Sequence, residues 1–115
     1  MRLLELAEVI RSKNASPFEL TMDIIFKSER IFKQIVGQRV ITTSTIAKLY
    51  QIPEDKVVSI IEFAHARAIK ITIIRPVSSG DLGDTDIYGA QQHAPLMNWE
   101  IEYQGVNSGN GGGTG

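Results

Sequence analysis

The chain has 115 residues, 43% of them hydrophobic and 22% charged, with a formal net charge of −1 and no cysteine. That size and mixture suits one hydrophobic core built without metal or disulfide, and it excludes the high-charge signature of disorder. Near-zero charge with scattered Lys and Arg leaves no basic stripe for nucleic acid, and the lack of cysteine excludes disulfides, thiolate catalysis and cysteine-ligated zinc.

Taken in chain order, Leu4, Leu6 and Val9 allow a strand or a short helix, with a strand preferred, and Asn14-Ala15-Ser16-Pro17 supplies a turn. From Phe18 the chain alternates: Phe18, Leu20, Met22, Ile24 and Phe26 fall on one face, and Glu19, Thr21 and Asp23 on the other. This is the period of a half-buried strand. Ser28 is placed to cap a helix whose Ile31, Phe32, Ile35 and Val36 share a face, with Gly37 as the left-handed residue that ends it. A second helix opens at Thr42 or Thr43, buries Ile46, Leu49 and Tyr50, and stops before Pro53, after which Pro53-Glu54-Asp55 starts one more turn.

Val57 to Phe63 and Ile69 to Ile74 are β-branched runs that read as an antiparallel hairpin, with Ala64 to Ala68 between them either a connection or the continuation of a bent strand. Met97, Trp99, Ile101 and Tyr103 alternate with polar residues and predict a closing strand. Like elements are grouped together, so the expected class is α+β: a mainly antiparallel sheet covered by two short helices, in the order ββααβββ. One domain is expected over residues 1–104, with a flexible glycine-rich tail over 105–115. The opening Met1-Arg2-Leu3-Leu4-Glu5 lacks the apolar segment of a secretory signal and no run approaches membrane-spanning length, so the expected location is the cytoplasm, away from membranes.

Two polar segments are the candidates for chemistry. In the stretch from Ser78 to His93, Gly80 and Gly83 permit backbone angles that turn successive N–H groups toward a carboxylate or phosphate, and Thr85, Gln91, Gln92 and His93 add donors. The alternative is that Asp81 and Asp84 fold onto their own backbone as ordinary turns. Asp81, Asp84 and Asp86 also gather oxygens of the kind a hard cation takes, but their spacing matches no calcium-binding helix–loop–helix, so no metal is assigned. In the other segment, Ser12 to Glu19, Lys13 is available to pair an anion and Asn14 to hydrogen-bond it, or both serve only the turn. His93 and Asp84 are the candidate acid and base, histidine being suited to proton transfer, whereas His65 reads as structural or exposed. No cofactor is implied.

Ser12-Lys13-Asn14-Ala15-Ser16-Pro17-Phe18-Glu19-Leu20-Thr21 and the run from Gly80-Asp81-Leu82-Gly83-Asp84-Thr85 through Gln91-Gln92-His93-Ala94-Pro95-Leu96 resemble a domain-of-unknown-function family of small proteins, over about Leu4 to Tyr103. Such proteins resemble partners of the acyclic-terpene-utilisation protein A family, and also that family's ferredoxin-like C-terminal domain. The resemblance implies a ferredoxin-like two-layer sandwich, and an accessory subunit or binding module that helps a larger protein act on a carboxylate or acyl-coenzyme A in branched-acid catabolism. Two further functions stand beside it: a stand-alone hydratase or lyase using His93 and Asp84, and a structural homo-oligomer.

Overall fold

Alternation of branched aliphatic residues organises the structure, a computed structural model that describes residues 1–74 and 93–102. The elements in chain order are α1 (Leu3–Leu6), β1 (Ala7–Ser16), β2 (Glu19–Phe26), α2 (Glu29–Gly37), α3 (Thr43–Tyr50), β3 (Val57–Phe63), β4 (Ala68–Ile74) and α4 (Ala94–Met97). The strands form one antiparallel four-stranded sheet in the order β1-β2-β4-β3. The class is therefore α+β, as the grouping of elements implies.

In β2, Leu20, Met22, Ile24 and Phe26 are buried, and their neighbours Glu19, Thr21, Asp23 and Ile25 are half-buried on the other face. In β4, Ile69, Ile71 and Ile73 do the same. Register aligns the two sets, Met22 against Ile71 and Ile24 against Ile69, so one sheet face is a continuous aliphatic surface. Phe32 and Ile35 of α2 and Ile46 and Ala47 of α3 join the same cluster, as do Leu3, Leu6, Leu96 and Ile101. Each large side chain withdrawn from water in this way contributes about 1.5–3 kcal/mol. The opposite face carries Arg11 beside Asp23 at 3.3 Å and keeps Ile61 and Phe63 nearly half exposed.

Both long helices start where the sequence places them. The Ser28 hydroxyl accepts from the Ile31 N–H at 3.1 Å. At α3 the Thr42 hydroxyl accepts from the Thr45 N–H at 3.2 Å while the Thr45 hydroxyl accepts from the Thr42 N–H at 2.9 Å, a reciprocal cap. Thr42→Ala removes the half of this exchange that the Thr42 hydroxyl makes and leaves the Thr45 N–H without its partner, and the expected cost is roughly 1–2 kcal/mol. Thermal unfolding should show Tm lower by at least about 4 °C; an unchanged Tm would mean the cap contributes nothing.

Several expected boundaries move. The first segment is one helical turn, Leu3–Leu6, followed by a strand, because Leu3 and Leu6 at helical spacing both reach the core before the chain extends. Asn14 to Ser16 belong to β1, and the turn is only Pro17 and Phe18. Phe18, expected on the buried face, is 51% exposed as a consequence of lying in that turn. Gly37 is the last residue of α2, and the left-handed position falls on Arg39, φ 54°. The link from Ala64 to Ala66 is a single tight helical turn, ended by the left-handed Arg67, whose guanidinium donates to the Phe26 carbonyl at 3.1 Å and meets Glu8 at 3.2 Å.

The closing strand is the largest correction. Met97 ends α4, and among the described residues the strand is reduced to one bridge, Arg2 with Glu100. Leu3 N–H donates to the Trp99 carbonyl at 2.9 Å and Ile101 N–H to the Met1 carbonyl at 2.8 Å, so the C-terminal segment docks on the N-terminal one and leaves the sheet alone. Ile101 is buried, so the alternation reports burial without strand pairing. Tyr103 and the tail over 105–115 lie outside the described residues.

Candidate functional site

Strand alternation decides which polar residues of β1 work together. Ile10, Ser12 and Asn14 pair with Ile24, Met22 and Leu20, whose side chains are all buried toward the helices, so Ser12 and Asn14 continue the core face outward. Arg11 and Lys13 pair with Asp23 and Thr21 and lie on the other face. β1 is an edge strand, which is why polar side chains are tolerated at the margin of an aliphatic surface. Lys13 and Asn14, considered together as an anion-binding turn, are thus divided between the two faces of the sheet.

His93 enters from the other end of the chain, immediately before α4. Its carbonyl accepts from the Leu96 and Met97 N–H groups at 3.0 and 3.1 Å, and Leu96 is fully buried, so the short helix is anchored in the core and the imidazole is fixed over the β1 edge. There Nδ1 of His93 lies 2.9 Å from the Ser12 hydroxyl, across 81 positions of sequence. The pair has two proton arrangements: the hydroxyl donates to Nδ1, or Nδ1–H donates to the hydroxyl. Either way one ring nitrogen is held and the other is left to meet a ligand.

Beneath the pair is Tyr50, the last residue of α3. Its hydroxyl donates to the Met22 sulfur at 2.9 Å, and Met22 is the register partner of Ser12. Burial pushes the phenol well above its usual range, and a hydrogen bond with the Leu96 backbone pulls part of that back. Tyr50 therefore connects α3, β2 and the α4 backbone that carries His93. A buried tyrosine needs a partner for its hydroxyl, and this was the available signal for a residue that periodicity reads only as core.

The remaining candidates, Gly80, Asp81, Gly83, Asp84, Thr85, Gln91 and Gln92, lie outside the described residues, as does Asp86. His65 is exposed in the turn between β3 and β4. Among the described residues no group of His, Cys, Asp or Glu is arranged to hold a metal ion, and no helix is long and apolar enough to cross a membrane. No carboxylate is hydrogen-bonded to His93 among the described residues, so the Ser12–His93 pair lacks the third group of a nucleophilic triad there.

Fold and site together define a small α+β protein with a helical layer on an antiparallel sheet and a hydroxyl–imidazole pair at one sheet edge. A family model, Domain of unknown function (DUF4387), matches residues 3–100, and the chain belongs to that family. No curated protein and no solved structure matches the chain.

Proposed function

We propose that the protein is an accessory subunit or binding module of a larger protein of the acyclic-terpene-utilisation type, and that the β1 edge helps complete that protein's site for a carboxylate or acyl-coenzyme A. The observation that carries the reading is the 2.9 Å contact of Ser12 with His93, which brings together one half-buried residue from each of the two polar segments. A ferredoxin-like kinship with that larger family's C-terminal domain is part of the same proposal, supported by two helices stacked on one face of an antiparallel sheet. In this role His93 and Ser12 orient and hydrogen-bond the bound group, and Asn14, on the same face, extends the polar margin. Gly80, Asp81, Gly83, Thr85, Gln91 and Gln92 belong to the proposal as further donors and turn-formers.

Co-expression with the larger protein should recover a complex on affinity purification. Ser12→Ala and His93→Ala should each weaken binding of a short branched acyl-coenzyme A to that complex by about tenfold, the loss of one good polar contact. Recovery of the chain only in free form would overturn the accessory role. The same hydroxyl–imidazole pair favours a second reading, a stand-alone hydratase or lyase with His93 and Asp84 as acid and base, because Ser12 fixes one ring nitrogen and leaves the other for proton transfer. Turnover by the purified chain alone, abolished in His93→Ala, distinguishes it from the first.

A further inference from the structure

The opposite edge of the sheet carries a separate cleft of about 270 Å³, between the end of α2, the start of α3 and strand β3. Buried Ile35 and Ile69 form its floor, Val36 and Ile41 add aliphatic walls, and Arg39 and Glu62 stand exposed at its margin. We propose that this cleft binds a small zwitterion with a branched aliphatic side chain, of the chemical class of a free branched α-amino acid.

Size and charge both select that class. Pockets for drug-sized ligands and cofactors run from about 300 to 1,000 Å³, so this one is too small for a nucleotide or an acyl-coenzyme A and suits a single short aliphatic group. Its floor and two of its walls are aliphatic, Thr42 lines it as well, and its rim carries one guanidinium and one carboxylate, neither of them in an ion pair among the described residues. A simple carboxylate entering the cleft meets Arg39 well but is opposed by Glu62, and a simple amine has the reverse difficulty. A molecule with a carboxylate and an ammonium on one carbon satisfies both, and the fork of the guanidinium matches a carboxylate in two parallel hydrogen bonds.

The backbone of Arg39 fixes the place of its side chain at the cleft. Its φ of 54° lies in the left-handed region, where an L residue with a side chain is disfavoured and glycine is at ease. The conformation is held by Arg39 N–H donating to the Val36 carbonyl at 3.1 Å and Val40 N–H to the Ile35 carbonyl at 3.3 Å. A glycine is available two positions earlier, at Gly37, inside the helix where its freedom is not needed. Gln51 and Arg67 end helical turns in the same conformation, so this backbone is how the chain leaves α2, and it sets Arg39 at the mouth of the cleft.

The test is a titration of the full chain with L-leucine, followed by the isoleucine methyl signals in NMR spectra, with 4-methylpentanoate and 3-methylbutylamine as ligands that each lack one charge. Leucine should shift the methyls of Ile35, Ile41 and Ile69 saturably, and each half-ligand should bind about five- to tenfold more weakly. Arg39→Gly should raise Tm, because strain is relieved, while weakening leucine binding about five- to tenfold; Glu62→Gln should weaken it similarly with Tm unchanged. Absence of methyl shifts with leucine overturns the site. Equal binding of 4-methylpentanoate overturns the zwitterion assignment, and undiminished leucine binding by Arg39→Gly removes the role of the arginine.

Discussion

Phe26→Ala is expected to lower the free energy of unfolding by roughly 3–5 kcal/mol, the range for emptying a fully buried aromatic site. Phe26 is wholly buried at the end of β2, and its ring lies 6.2 Å from that of Phe32 on α2, tilted by 60°. Loss of the ring removes buried area and a favourable aromatic pair, the latter worth about 0.5–1.5 kcal/mol. It also loosens the point where the Phe26 carbonyl receives the Arg67 guanidinium, which fastens the β3–β4 turn to β2. Domains of this size have about 5–15 kcal/mol in total, so the variant will be marginal. Guanidinium unfolding should show a lower midpoint at unchanged slope, with Phe26→Leu in between and Ile25→Ala, on the half-buried face, close to the parent. A Phe26→Ala loss under about 1 kcal/mol would contradict the assignment of this face to the core.

The same side-chain alternation made β2 and β4 readable, since each inward position is filled by a large aliphatic or aromatic residue. The helix starts were legible for a different reason: Ser28 and Thr42 are cap residues whose hydroxyls find a donor within three positions, so the information is local. Elements whose form depends on distant partners were not legible. Met97 to Tyr103 alternates like a strand, yet the partner for Trp99 and Ile101 is the N-terminal segment, and that docking replaces a ladder. At the end of α2, glycine marks the usual left-handed residue, but the chain makes one further bond, Gln38 N–H to the Gln34 carbonyl, and the left-handed position passes to Arg39.

The site was legible only in its parts. Ser12 and His93 each stand in polar segments of the kind that form sites, but nothing local states that they meet, because 81 positions and the whole sheet intervene. The grouping of Lys13 with Asn14 followed from treating the segment as a turn; once it is a strand, neighbours in sequence are on opposite faces. Tyr50 was visible as a core residue and its hydroxyl was the part that periodicity does not describe.

That hydroxyl leads to the second large effect, a loss of stability in alkali. The phenol of Tyr50 is held above its usual range by burial, so the folded state keeps its proton at a pH where the unfolded chain, with an ordinary tyrosine near about 10, has released it. The folded state then binds more protons than the unfolded one, and stability must fall as pH rises. The contribution is fully present below about pH 10 and is lost above it, at about 1.4 kcal/mol per pH unit for the one linked proton. Tyr50→Phe should be less stable than the parent at neutral pH by roughly 1 kcal/mol, through loss of the Met22 contact. Above about pH 10 its stability should decline less steeply than the parent's by that slope, so the difference isolates Tyr50 from all other titrating groups. Urea unfolding at a series of alkaline pH values provides the comparison, and parallel curves for the two proteins would refute the burial of this proton. Because Met22 pairs with Ser12 and the Leu96 backbone follows His93, ionisation at Tyr50 acts on both supports of the Ser12–His93 contact. The contact should therefore hold while the folded state keeps that proton, open only at the higher pH where the folded phenol ionises, and persist there in Tyr50→Phe.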